Sequence, residues 1–147
     1  MKVLLAGCVL ISILVTGVRA ANETKRPVVY VGYAPEQVYA IIHSAKLRVE
    51  AKMVLGSMSE RSSATEASVH EEIMLGRSRL PQGLRLIEKK VENDRLATLL
   101  YLGQRTDRET GQEVFSRGTV TMVKEEGTWR LRHETWEDIP NPYMQEE

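Results

Sequence analysis

The spacing of apolar residues changes from a period of about 3.6 to a period of about 2 near Pro81, which divides the chain into a helical part and a strand part. In the helical part, one apolar stripe has helical spacing: Val38, Ile41, Ile42, Ala45 and Val49. A second stripe is rotated from the first: Leu47, Ala51, Val54, Leu55 and Met58. The two stripes predict either one bent helix or two helices that meet near Lys46 to Arg48.

A third helix is predicted from Ala64 to Leu75, with Val69 and Ile73 facing inward and Gly76 at its end. After Pro81, alternation and turn residues predict four strands: Leu84–Val91, Leu96–Leu102, Glu113–Lys124 and Thr128–Glu137. Residues 103–111 are predicted to form a polar loop. Helices followed by consecutive strands indicate an α+β fold in which N-terminal helices pack on a four-stranded antiparallel sheet.

Strand alternation predicts which side chains face the helices. If the inner faces leave a pocket, its lining is predicted to be Ala97, Leu99, Tyr101, Trp129, Leu131 and His133. The same alternation places Glu134 on the opposite face, toward solvent. Trp136 falls on that opposite face too, either packed under a helix or facing a partner, and the pattern does not separate these two interpretations.

The first 20 residues have the layout of a secretory signal peptide. Lys2 precedes an uncharged run over residues 3–18, and Val18-Arg19-Ala20 is a small-residue cleavage site before Ala21. The run is short for a bilayer span, which needs about 20 residues. We therefore predict an exported protein, periplasmic or extracellular, without a membrane span after cleavage.

Cys8 is the only cysteine of the chain. Leu5-Ala6-Gly7-Cys8 matches a lipobox, but the apolar run continues beyond Cys8, where a lipoprotein normally turns polar. We interpret Cys8 as part of the leader; the alternatives are a membrane anchor through lipidated Cys8, which an upstream start codon would favour, or an uncleaved leader. Cleavage before Ala21 removes the thiol, and with it disulfide and thiol chemistry.

The charge of the mature chain argues against a nucleic-acid partner. Without the first 20 residues, 18 basic residues face 20 acidic ones, so the chain lacks the basic excess of a nucleic-acid binder. Hydrophobic residues make up 42% of the sequence, which is enough for a core. We predict a globular domain that binds no nucleic acid.

Candidate catalytic groups are few. His43, His70 and His133 are widely separated and have no cysteine near them, which argues against a metal site. The chain has neither a Gly-x-Ser-x-Gly motif nor a Gly-rich phosphate loop. We predict no cofactor, no metal and no catalytic residue. His133 on the predicted inner face is either a hydrogen-bonded rim histidine or a group that binds or moves a proton.

Two segments carry a family resemblance. Pro35-Glu36-Gln37-Val38 opens a helix, and the last predicted hairpin runs from Gly118 through an acidic-Gly turn to Trp129-x-Leu131. This order resembles the nuclear transport factor 2-like superfamily, in particular its small exported bacterial members of unknown function. The resemblance covers about residues 34–137 and implies a curved sheet wrapped around a long helix, a cystatin-like or nuclear transport factor 2-like cone whose open end often holds a pocket.

The resemblance does not transfer an activity, because this fold hosts isomerases, dehydratases, binding modules and dimerisation domains. Members that resemble ketosteroid isomerases need a carboxylate base and an oxyanion donor inside the cone. Here Asp94 falls in a turn, Asp107 in a loop and Asp138 in the tail, while Glu134 is predicted to face outward. We therefore expect the acid–base pair to be absent.

The sequence predicts a signal peptide over residues 1–20, a lead-in segment over 21–33, the α+β domain over 34–137 and a C-terminal tail over 138–147. The leading hypothesis is a non-catalytic exported domain that binds a small apolar or amphipathic ligand or an envelope protein. The alternative is a module that assembles with itself, as a homodimer, or with another protein through the outer sheet face, where Leu100, Leu102 and Trp136 are predicted. An isomerase- or hydrolase-type enzyme using His133 is the third hypothesis.

Overall fold

The computed structural model describes residues 29–60 and 62–144, and the predicted signal peptide and Cys8 lie outside them. The described chain contains three α-helices and one four-stranded antiparallel sheet, which confirms the predicted α+β fold. No helix in the described ranges is long and apolar enough to cross a membrane. The elements are α1 (Pro35–Leu47), α2 (Ala51–Gly56), α3 (Glu66–Gly76), β1 (Gly83–Glu92), β2 (Leu96–Thr106), β3 (Glu113–Glu125) and β4 (Thr128–Ile139).

Helix α1 begins at Pro35, whose fixed φ and missing N–H suit a first helical position. The Ala34 N–H donates to the side-chain oxygen of Gln37 at 2.8 Å, which ties down the helix start. The helix ends before Val49, whose φ of 59° lies in the left-handed region that β-branched residues avoid. Of the two predicted alternatives, the structure therefore has two helices and not one bent helix.

Helix α3 starts later than predicted, after the N-cap residue Thr65. The Thr65 hydroxyl accepts from the Ser68 N–H at 3.2 Å, and the Ser68 hydroxyl accepts from the Thr65 N–H at 2.9 Å, so each satisfies the other's backbone donor. Val69 and Ile73 are the buried residues of this helix, as predicted. Helix α3 is thus attached to the domain by a narrow apolar face.

The strands follow one another in the order β1-β2-β3-β4. Asn93 and Asp94 both have positive φ and close the first hairpin, and Glu126 and Gly127 do the same for the last. At the edge of the sheet, β1 contains a bulge, because Leu86 pairs with Tyr101 and Glu88 with Leu100 while Ile87 has no partner.

Strand β2 continues through part of the predicted loop, and β4 continues into the predicted tail. Both extensions carry polar inner-face residues that bond to each other. The Arg105 guanidinium donates to both carboxylate oxygens of Asp138, at 2.9 and 3.2 Å, and the Ser116 hydroxyl donates to Asp138 at 3.0 Å. The strand ends were predicted where the apolar alternation stops. The strands continue beyond that point because this polar network, and not apolar packing, holds their inner faces together.

The lead-in before α1 contains no strand within residues 29–34. Tyr30 anchors it, since its hydroxyl lies 3.0 Å from the Ser57 hydroxyl and its ring packs edge-on against Tyr33. Tyr30 therefore attaches this segment to the domain, while Val29 and Val31 stay exposed.

The core lies between the helices and the inner face of the sheet. From α1, Val38, Tyr39 and Ile42 are fully buried. They meet the inner residues of the strands: Ala97, Leu99, Tyr101, Val120, Met122, Trp129 and Leu131. The inner faces of β2 and of the first half of β4 are those that alternation predicts.

A second bulge interrupts β4 at Arg132. Thr121 pairs with His133 and Met122 pairs with Leu131, so Arg132 is left without a cross-strand partner. One extra residue reverses the alternation of everything that follows it on the strand. Beyond Arg132, Glu134 and Trp136 face the helices, while the exposed His133 and Thr135 face away.

The Trp136 side chain lies over two glycines of the neighbouring strands. A Cβ at Gly118 would lie 2.5 Å from the Trp136 ring, and a Cβ at Gly103 would lie 2.6 Å from Pro81 and 3.0 Å from the ring. Trp136 also packs against His43 of α1, with ring centroids 6.3 Å apart. Of the two alternatives given for Trp136, packing under a helix is the observed one, and its assignment to the outer face is wrong.

We predict that Gly118→Ala lowers the free energy of unfolding by about 1–3 kcal/mol, because the added methyl group overlaps the Trp136 ring. Urea denaturation measures the change. Gly83→Ala in β1 is the matched control, since a Cβ there meets nothing within 4 Å, and it should change stability by less than about 0.5 kcal/mol. Equal stability of the two variants would contradict the close packing of Trp136.

Candidate functional site

Glu134 joins the sheet to helix α1. Its carboxylate accepts a hydrogen bond from the Tyr39 hydroxyl at 2.6 Å and forms an ion pair with Lys46. The side chains of Lys46 and Glu134 retain only 12% and 15% exposure. The prediction that Glu134 faces solvent is therefore wrong, and the bulge at Arg132 is the physical reason.

The environment of this cluster shifts two pKa values. Burial raises the pKa of the Tyr39 phenol well above its ordinary value, and the neighbouring Trp136 indole partly opposes this. Burial lowers the pKa of the Lys46 ammonium, and the Glu72 carboxylate opposes that shift. Tyr39 therefore stays a phenol and acts as a hydrogen-bond donor to Glu134 at neutral pH.

The cluster brings a carboxylate and a phenol donor together on the inner face, which the sequence did not lead us to expect. Such a pair can transfer a proton or hold two elements together. Here both oxygens of the carboxylate are occupied, because Glu134 accepts a hydrogen bond from Tyr39 with one oxygen and forms the ion pair with Lys46 through the other. The observed geometry is that of an anchor between α1 and β4.

His43 lies beside this cluster and is buried. Its Nε2 lies 2.7 Å from the Pro81 carbonyl oxygen, which can only accept, so Nε2 carries the proton and donates. Its Nδ1 is buried without a partner among the described residues. Burial lowers the pKa of His43; the Pro81 carbonyl opposes this and the Lys46 charge adds to it.

A cavity of about 390 Å³ opens between helix α3, the end of α1 and strand β4. Its apolar wall combines helix residues with the middle of β4: Val54, Met58, Val69, Ile73, Leu131 and Trp136. Its polar wall carries six ionisable side chains: Lys46, Glu72, Arg79, Arg132, His133 and Glu134. The Lys46–Glu134 pair thus forms part of the cavity surface.

The six residues predicted to line a pocket lie in different places. Leu131 and His133 border this cavity, His133 as an exposed rim residue. Trp129 and the three predicted residues of β2 are buried in the core and are not among the residues that border it: Ala97, Leu99 and Tyr101. The expectation that His133 shares a face with Leu131 is wrong, since the bulge separates them. A ligand contact by any of the six stays a prediction.

The residues that sequence reasoning missed are those whose orientation depends on the bulge or on tertiary packing. Alternation along the sequence places Glu134 on the wrong face, and the apolar pattern marks Lys46 only as part of a helix junction. Burial of the Tyr101 phenol raises its pKa to about 12, with the Glu36 carboxylate adding to the shift. In the described part of the chain, no three His, Cys, Asp or Glu side chains are grouped as metal ligands.

Comparison with known proteins gives structural neighbours and no sequence relatives. No protein-family model matches the chain, and neither does any curated protein. A ketosteroid isomerase-like protein from Erwinia carotovora atroseptica has a TM-score of 0.53 at 13% identity, covering 73% of this chain and 95% of that chain. A SEC-C motif containing protein from Rhodopseudomonas palustris has a TM-score of 0.53 at 12% identity, covering 72% and 80%.

A nuclear transport factor 2-like protein of unknown function from Pseudomonas putida has a TM-score of 0.51 at 14% identity, with 76% of this chain and 88% of that chain covered. These likenesses confirm the fold that the resemblance implied. The chain has the nuclear transport factor 2-like fold. At such identities the likeness is one of fold, and the fold alone does not assign an activity.

We predict that Glu134→Ala lowers the free energy of unfolding by about 3–5 kcal/mol, because it leaves the Lys46 ammonium buried without a carboxylate. The double variant Lys46→Met/Glu134→Leu should recover only the part of this loss that comes from the unpaired ammonium, since the Tyr39 hydroxyl lacks its acceptor in both variants. Both changes are measurable by urea denaturation.

Glu137→Ala is the control for this series. Glu137 lies on the outer face of the same strand and pairs with Arg117 at 3.7 Å, both side chains being more than half exposed. Its loss should change stability by less than about 0.5 kcal/mol. A loss at Glu134 no larger than at Glu137 would show that the buried pair does not anchor α1.

We predict that acid destabilises the domain through His43. The lowered pKa means that the unfolded chain binds a proton near pH 6.5 while the folded chain does not, so stability is full above about pH 6.5 and falls below it. The slope that one histidine contributes is at most about 1.4 kcal/mol per pH unit.

Thermal unfolding between pH 7 and pH 5 tests this. His43→Gln keeps a nitrogen donor for the Pro81 carbonyl and should flatten the pH dependence. His70→Gln, at an exposed position of α3, should keep the wild-type slope. Identical slopes for the two variants would exclude His43 as the origin of the pH dependence.

Proposed function

We propose that this chain is a binding protein for a small amphipathic molecule, held in the cavity between helix α3 and strand β4. The observation that carries the proposal is the cavity itself, whose volume of about 390 Å³ lies within the range of ligand sites. Exported location is part of the proposal and is supported by the N-terminal sequence, with Lys2, the apolar run and the small residues before Ala21.

The distribution of side chains supports an amphipathic ligand. Val69 and Ile73 of α3 face Leu131 of β4 and supply an apolar wall. Ionisable residues border the same cavity, and four of them are exposed to solvent: Glu72, Arg79, Arg132 and His133. A ligand with one apolar and one polar end would bury its apolar end without leaving its polar end unpaired.

Access to the cavity is supported by the way α3 is held. Only Val69 and Ile73 are buried on this helix, while Met74 and Leu75 at its end are 51% and 76% exposed. A helix with so few buried contacts opens locally at a small free-energy cost. Movement of α3 would admit a ligand without disturbing the sheet.

The alternative function, assembly through the outer sheet face, has less structural support than the sequence suggested. Trp136 packs inside the domain, and Leu102 is buried, so two of the three apolar residues expected on that face are not available for contact. Leu100 remains half-buried. Ligand binding is therefore the function that the geometry favours.

A side chain that fills the cavity should abolish binding. Gly76 borders the cavity, and a Cβ there meets nothing within 4 Å, so Gly76→Phe can extend into the space without overlapping the backbone. We expect saturable one-to-one binding of 1-decanol, by isothermal titration calorimetry, to be lost in Gly76→Phe.

Gly83→Phe is the matched control, because Gly83 also has open space around it and lies on β1, outside the residues that border the cavity. It should bind as the parent protein does. The proposal fails if none of 1-decanol, decanoate and decylammonium saturates the parent protein, or if the two phenylalanine variants bind alike.

A further inference from the structure

The ionisable groups around the cavity are not balanced. Three cations and two carboxylates border it, apart from His133: Lys46, Arg79, Arg132, Glu72 and Glu134. One cation and one carboxylate neutralise each other in the Lys46–Glu134 pair. What remains is a pair of arginines against a single carboxylate.

The two arginines are free to receive an anion. Neither Arg79 nor Arg132 forms an ion pair with a carboxylate in the described ranges. Arg79 lies close enough to Asp138 to contribute slightly to the lowered pKa of that carboxyl, but Arg105 is the dominant partner there. The guanidinium groups therefore keep donors available for a ligand.

The two arginines come from different walls of the cavity. Arg79 belongs to the 3₁₀ turn that follows α3, and Arg132 is the bulge residue of β4. Both side chains are on exposed residues at the rim, whereas the apolar residues Val69 and Ile73 are buried. The positive charge thus lies where the polar end of an inserted molecule would emerge.

The volume of the cavity indicates the size of the molecule that it suits. At about 30 Å³ for each water-sized group, 390 Å³ holds roughly 13 non-hydrogen atoms. A straight-chain carboxylate of about ten carbons has about 12. A guanidinium binds a carboxylate with two parallel hydrogen bonds, a geometry that an alcohol or an ammonium group cannot match.

We infer that the cavity selects a medium-chain fatty carboxylate, with its chain between α3 and β4 and its head group between Arg79 and Arg132. This inference rests on the proposed function and specifies its ligand. One negative charge offsets the one positive charge in excess at the rim. A neutral head group would leave that excess unpaired, and a cationic one would add to it.

The test compares three probes with the same chain and different head groups: decanoate, 1-decanol and decylammonium. Isothermal titration calorimetry at pH 7.5 and low salt should give decanoate an affinity about 10-fold or more above that of 1-decanol. Decylammonium should bind more weakly than either. High salt should reduce the advantage of decanoate, because screening weakens exposed charges.

Variants of the rim residues test which side chains cause the preference for a carboxylate head group. Arg132→Gln and Arg79→Gln should each reduce the decanoate affinity about 5- to 10-fold and reduce the 1-decanol affinity by a clearly smaller factor. Glu72→Gln should increase the decanoate affinity, since it removes the competing carboxylate. Arg117→Gln, on the outer face of β3 and away from the cavity, is the control and should bind like the parent protein.

Two failures are distinguishable. If 1-decanol and decanoate bind equally well and only Gly76→Phe abolishes both, the charge selection is overturned while the proposed function stands. If no probe binds, the proposed function itself fails. Preference for decylammonium, or an unchanged preference for decanoate in both arginine variants, would also overturn the inference.

Discussion

Arg132 occupies a bulge in β4, and the strand continues beyond it with its side-chain alternation reversed. Because of that reversal, Glu134 meets Tyr39 and Lys46, and Trp136 meets His43. In a regular strand, the Glu134 and Trp136 side chains would point to solvent and His133 would face the helices. The polar contacts and the Trp136 contact between α1 and β4 depend on this single extra residue.

The same bulge links the fold to the cavity. Leu131 before it supplies apolar wall, Arg132 within it supplies a rim charge, and Glu134 after it holds Lys46. A buried ion pair adds little net stability compared with apolar packing, but removing either partner leaves a charge unpaired. The pair therefore fixes the polar side of the cavity, while helix α3, attached by Val69 and Ile73, closes the other side loosely.

Most of the secondary structure could be predicted from the sequence because local chemistry determines it. Pro35 starts a helix by its own geometry, and Asn93-Asp94 and Glu126-Gly127 close hairpins by adopting positive φ. The inner faces of β2 and early β4 followed from alternation. The family resemblance depended on the same local features, and the structural neighbours confirm the fold.

The candidate site was harder to predict because its geometry is tertiary. No residue type marks Arg132 as a bulge, and alternation carried past it assigns Glu134 and Trp136 to the wrong face. Gly118 and Gly103 gave no signal either, although they leave the space that the Trp136 ring fills. The extension of β2 through Arg105 was missed for a related reason: its inner face is stabilised by a polar network with Asp138.

The other bulge, at Ile87, affects how the domain behaves among its own copies. Among residues 29–60 and 62–144, strand β1 has a neighbour on one side only, and Leu86, Ile87 and Val91 leave apolar surface along its other side. A flat apolar edge of this length would be a template for strand addition between molecules. The irregular hydrogen-bond spacing at Ile87 and the exposed charges of Glu88 and Lys90 oppose such growth, so this edge is a poor template for a further strand.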